Sequence, residues 1–154
     1  MNLIRAVGYV LCIAVVAMIA LMLASAPAPA LSRGPCSVTQ ARQADARAAA
    51  RAREAHRVYL ATVKYTEMYG ANVGRWVRPA RLAGWPWSQI PTLMLVVKTE
   101  SGGNPSAWTG YYAGLMQFGK PWWENKWNPF IGYVNLSHGH KAWMDNGWAP
   151  WPWL

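Results

Sequence analysis

Leu93-Met94-Leu95-Val96-Val97-Lys98-Thr99-Glu100-Ser101-Gly102-Gly103-Asn104-Pro105 is the stretch from which the rest of the chain is read. An apolar run ends on one carboxylate and is then cut off by Gly and Pro. Leu93 and Val97 lie seven and three residues before Glu100, so the three share a helical face. Gly102 offers a left-handed cap, and Pro105 forbids continuation. The pattern predicts a buried helix that delivers Glu100 at its C-terminal end. Desolvation and the negative end of the helix dipole both work against a charged carboxylate there. A general acid has to hold its proton, so Glu100 is the candidate catalytic residue.

Working outward, Ser88 is placed to cap this helix, with Pro91 in its first turn. Ile90, Leu93, Met94 and Val97 form the expected core face. Downstream come Gly114-Leu115-Met116-Gln117-Phe118, then Asn128-Pro129, then Asn135-Leu136-Ser137-His138-Gly139. A helix is expected from about Tyr133 to Met144, and no strand pattern persists. Together with Glu100-Ser101-Gly102-Gly103-Asn104-Pro105-Ser106-Ala107, these segments resemble the lytic transglycosylases, a branch of the lysozyme-like fold. The resemblance covers roughly Trp85 to Trp151, with the motifs in the family's order.

The resemblance implies a small, mainly α, lysozyme-like domain that cleaves peptidoglycan between N-acetylmuramic acid and N-acetylglucosamine. In that family one Glu, here Glu100, makes both proton transfers and water is not consumed. Ser101 supports the acid or the substrate, and the Gln117 amide suits an N-acetyl group. Gly114 permits close backbone approach. Met116 and Asn135 fall in the family's substrate-side motifs, although Leu115 and Met116 read by themselves as core. Tyr111 and Tyr112 are cleft residues or buried aromatics. Many members carry a late Ala-Tyr-Asn whose Tyr bonds the acid. This chain has none, and its Gly147-Trp148-Ala149-Pro150-Trp151 ending resembles short phage-borne and actinobacterial forms. The partner of Glu100 is left unassigned.

The chain has 154 residues and a net charge of +9, from 15 Lys+Arg against 6 Asp+Glu. This balance favours anionic partners: nucleic acid, phospholipid surfaces or acidic cell-wall material. All 11 tryptophans fall between Trp76 and Trp153, where each can bury a large apolar area or face a sugar ring. Cys12 and Cys36 make no disulfide framework, and the residues fit no metal site or cofactor. His138 and His140 read as helix-surface residues.

Ala6 to Ala26 is uncharged and apolar. It reads as a secretory signal ending at Ala28-Pro29-Ala30, as a retained membrane helix, or as a segment buried in a larger assembly such as a virion. The arginines that follow it, from Arg33 to Arg57, oppose simple export. Ser37 to Tyr69 reads as one long Ala/Arg-rich helix, a spacer in its first half and apolar-faced in its second. Gly70 to Trp87 reads as a turn-rich connection. The expected organisation is 1–30 signal or anchor, 31–70 linker and basic helix, and 71–154 the lysozyme-like domain. Partners are then glycan strands of peptidoglycan, a membrane through 6–26 and an anionic envelope polymer or a virion assembly, with no specific nucleic acid. The location is secreted or membrane-anchored in the bacterial cell envelope, or virion-associated. A hydrolysing muramidase and a non-catalytic wall-binding or virion protein are the rival readings.

Overall fold

The computed structural model describes residues 35–154, and side chains from Val38 onward. The hydrophobic segment 6–26 and its expected cleavage site lie outside the described residues. Among the described residues no helix is long and apolar enough to cross a membrane. The chain divides into two units, 1–45 and 46–154, and apart from the first turns of the first helix all that follows concerns the second.

The fold is mainly helical. Helix α1 spans Pro35–Tyr69, α2 Ala71–Gly74, α3 Val77–Leu82, α4 Ile90–Ser101, α5 Lys120–Trp123 and α6 Gly132–Asn146. A 3₁₀ turn at Trp87–Gln89 leads into α4. Between α4 and α5 lies a small antiparallel hairpin, β1 Tyr112–Ala113 and β2 Phe118–Gly119, pairing Tyr112 with Gly119 and Ala113 with Phe118. Strands this short carry no alternation, which is why no strand was expected there. The turn-rich stretch before α4 is in fact the short helices α2 and α3.

Helix α1 starts at Pro35, two residues before the expected Ser37, since proline suits a first helical turn. Its last turns belong to the core. Tyr65 is buried, and Val58, Ala61 and Tyr69 pack against the same cluster, while Tyr59 and Met68 stay exposed. The compact unit therefore begins at Ala46, further back than a boundary at residue 70. A polar clasp supports this packing. Glu54 accepts from Arg81 Nε at 2.9 Å and from Trp87 Nε1 at 3.0 Å. The Arg57 and Arg81 guanidiniums stand 4.3 and 4.8 Å from the Trp87 ring. The Trp87 donation, opposed by desolvation and joined by Arg81, holds the Glu54 carboxyl below its ordinary range.

Helix α4 is the core element. Ile90, Leu93, Met94, Val96 and Val97 are buried. Its expected cap differs: Ser88 lies in the 3₁₀ turn, Gln89 occupies the cap position, and no side chain caps the helix. The Gln89 side-chain Oε1 instead accepts from Trp148 Nε1 at 2.9 Å. Trp85 is the other hub. It is fully buried, donates to Leu136 O at 2.9 Å and stacks on Trp148 at 5.4 Å. His140 and Trp143 close its remaining faces. Helix α6 packs tightly through Gly139, where a Cβ would sit 2.2 Å from Met116 Sδ.

Asn135, on α6, is fully buried. Its Oδ1 accepts from Met116 N at 3.0 Å, and its Nδ2 donates to Pro129 O at 3.1 Å and, more weakly, to Ala113 O at 3.4 Å. Gly114 makes room: with φ +81 and a would-be Cβ 2.1 Å from Asn135 Nδ2, no side chain fits. Asn135 is thus a structural residue with its amide spent on backbone. This corrects its expected place among the substrate-binding residues.

Asn135→Ala leaves a buried N–H and a buried carbonyl unpaired, at about 1–3 kcal/mol each. Urea unfolding is expected to show a loss of at least about 2 kcal/mol. An Asn135→Ala protein as stable as wild type would show that the network carries no weight.

Burial holds His140 below its ordinary value of 6.5, and burial with the nearby Lys141 ammonium does the same to His138. The unfolded chain therefore takes up protons first as pH falls. The stabilisation is complete above pH 6.5 and is lost as pH drops from there through the folded-state values. The urea midpoint is expected to fall between pH 7 and pH 5, and less so in His140→Phe; identical slopes in the two proteins would contradict this.

Candidate functional site

Glu100 is the penultimate residue of α4, one turn beyond the buried Val96 and Val97. Its side chain is half-buried and faces open space rather than the core. The helix ends at the left-handed Gly102, whose N–H bonds Lys98 O at 3.0 Å, while Gly103 N reaches Val97 O at 3.2 Å. Ser101 reinforces this end. Its hydroxyl donates to Val97 O at 3.0 Å and accepts from Gly103 N at 3.2 Å. Those contacts make Ser101 a residue that fixes the helix end, so it acts on Glu100 through the backbone.

Glu100, Thr109, Tyr112, Gln117, Trp151 and Trp153 surround a cavity of about 340 Å³. A second cavity, of about 520 Å³, adjoins it and shares Tyr112, Gln117, Pro150 and Trp151. The two form one groove with Glu100 in the smaller compartment. Tyr111 and Tyr112 line the larger one and stay half-exposed, their rings edge to face at 4.9 Å. Trp122 is 49% exposed at its far side. Aromatic faces of this kind suit the apolar faces of sugar rings.

Gln117 sits between the compartments. It lies in the hairpin loop with φ 51, a left-handed non-glycine position, and not on a helix surface. Its Nε2 donates to Gly114 O at 2.8 Å and Ala107 O at 3.2 Å. These bonds fix the amide so that Oε1 is left as an acceptor. Met116 is almost wholly buried, and only its edge reaches the groove. Gly114 is buried against Asn135 and Pro129. Of the sequence-derived set, the fold gathers Glu100, Tyr111, Tyr112 and Gln117 at the groove. It leaves Ser101, Gly114 and Asn135 in supporting positions.

The partner of Glu100, which no motif indicated, is Trp153. Its indole N–H donates to Glu100 Oε1 at 2.7 Å. Trp153 stands 53 residues further along the chain and is itself 43% exposed, so packing alone does not account for its pose. Charge-assisted bonds of this length are short and directional. This one fixes the Glu100 rotamer through Oε1. Pro150 and Pro152 stiffen the segment that brings Trp153 back over the site. Trp151, between them, is buried, with its N–H on Met116 O at 3.2 Å.

In a ¹H–¹⁵N spectrum the Trp153 indole N–H is expected to move upfield on Glu100→Gln, since a neutral amide is the weaker acceptor. The Trp85 indole, on a backbone carbonyl elsewhere, stays in place. A Trp153 resonance indifferent to the substitution would remove the contact.

No protein family, curated protein or solved structure matches the chain. The functional reading accordingly rests on the residues of the groove themselves.

Proposed function

We propose that the chain is a lytic transglycosylase of the bacterial cell envelope, built on a lysozyme-like helical domain. Its substrate is the β-1,4 bond between N-acetylmuramic acid and N-acetylglucosamine. The observation that carries this reading is that Glu100 is the single acid among the described residues lining the aromatic groove. A glycosidase that activates water uses two carboxylates, about 5–10 Å apart. Glu124 is held by Lys120 at 3.0 Å on α5 and lines neither compartment.

One acid suffices when the nucleophile is internal. Glu100 gives its proton to the glycosidic oxygen as the C1–O bond breaks. The resulting carboxylate then takes the proton of the muramoyl C6 hydroxyl, whose oxygen closes on C1. The products are a free N-acetylglucosamine end and a 1,6-anhydro ring, with Glu100 protonated again. Trp153 keeps the carboxylate in one rotamer for both steps. The half-exposed Tyr111 and Tyr112 carry the sugar rings, and Gln117 Oε1 accepts from an acetamido N–H. Segment 6–26, as signal or anchor, and the arginine-rich α1 deliver the domain to the wall.

Glu100→Gln is expected to lower the turnover of purified peptidoglycan about 10²–10⁴-fold while the fold is kept. Glu124→Gln keeps wild-type turnover, and mass analysis finds muropeptides ending in 1,6-anhydro-N-acetylmuramic acid. Reducing-end products would make the enzyme a hydrolase, and a fully active Glu100→Gln would end the assignment.

A further inference from the structure

Beyond the groove, Trp122, Lys126, Trp127, His138, Lys141 and Asp145 enclose a cavity of about 300 Å³. It shares Trp122 with the larger compartment, so a strand leaving the groove past Trp122 meets it next. We infer that this recess is a subsite for a carboxylate carried on the glycan strand. The inference rests on the function just proposed and deepens it, by naming the substituent that the enzyme reads.

The walls are set in advance. Trp127 lies flat on His138, with ring centres 4.0 Å apart and planes 7° from parallel. The Trp127 N–H bonds Trp122 O at 2.9 Å, and Lys126 Nζ bonds Pro121 O at 2.8 Å. These contacts leave Trp127, His138 and the Lys126 head little freedom to lose on binding. The charge is only partly compensated. Lys126 and Lys141 share the recess with one acid, Asp145, and the neighbouring Glu124 is already paired with Lys120, so one net positive charge is left. His138 is held neutral by burial and by Lys141, so one of its ring nitrogens is an N–H donor and adds no charge. A recess with two ammonium groups, a neutral imidazole and an indole wall suits an anion attached to a sugar. Glycan strands offer two such carboxylates: the lactyl group of a strand stripped of peptide, and the free carboxylates of an attached peptide.

Three substrates test the subsite: peptide-bearing strands, amidase-stripped strands, and stripped strands whose carboxylates have been converted to amides. Wild type is expected to show a KM about three- to tenfold lower on a carboxylate-bearing strand than on the amidated one. The lower KM falls on stripped strands if the lactyl group is read, and on peptide-bearing strands if the peptide is. Lys126→Gln/Lys141→Gln raises KM on the preferred strand to the amidated value with kcat unchanged. Lys141→Gln alone, which touches no backbone bond, gives part of the effect. The same strands are titrated against tryptophan fluorescence, which reads binding without turnover. Loss of all turnover with charge-dependent binding intact would remove the transglycosylase reading and leave the subsite. Equal affinity for charged and amidated strands, or lysine variants that match wild type, would overturn the subsite.

Discussion

One buried carboxamide carries the site-bearing loop. The segment from Ala113 to Gln117 crosses the interior with only a two-pair hairpin to satisfy its backbone. Buried peptide groups without partners are costly, so something has to replace the missing ladder. Asn135 does this with both ends of its amide, accepting from Met116 and donating to Pro129 and Ala113. Its hold on the loop sets where Tyr112 and Gln117 stand relative to Glu100. The groove is thus fixed from α6, an element that contributes almost nothing to its lining.

The tryptophans show a second economy. A small domain has little interior, and bulky indoles fill it quickly. Eight of the 11 tryptophans also donate their N–H to a protein acceptor. Trp76 ties α2's end to Gly103 O, Trp123 ties α5 to Phe118 O, and Trp151 ties the final segment to Met116 O. Each ring supplies apolar burial and a directional tether at once. These three tethers end on non-helical backbone, at Gly103, Phe118 and Met116, where helices give no order of their own.

Much of this was legible in the sequence, and the gaps have physical causes. Helix α4 and its glycine end follow from the 3.6-residue spacing and from Gly and Pro chemistry. Helix α6 matched its expected span to within two residues at each end. The same amide chemistry at Asn135 and Gln117 served opposite ends, and nothing in residue type separates an amide facing backbone from one facing a groove. The left-handed turn at Gln117 had no glycine to announce it. Trp153 reaches Glu100 only through the whole tertiary fold, so its role had no local signal. Ser88 had the right chemistry for a cap, and the Trp87–Gln89 turn displaced it.

The closeness of Met116 Sδ to Gly139 ties two positions distant in sequence into one packing unit. A Cβ at residue 139 collides only while the thioether occupies that space. A smaller residue at 116 would open it, and Ala at 139 would then fill the hole instead of clashing. Each change alone harms the packing, whereas the pair compensates. The space at residue 139 is thus set by the size of the side chain at 116, so the two positions are coupled in what they can hold.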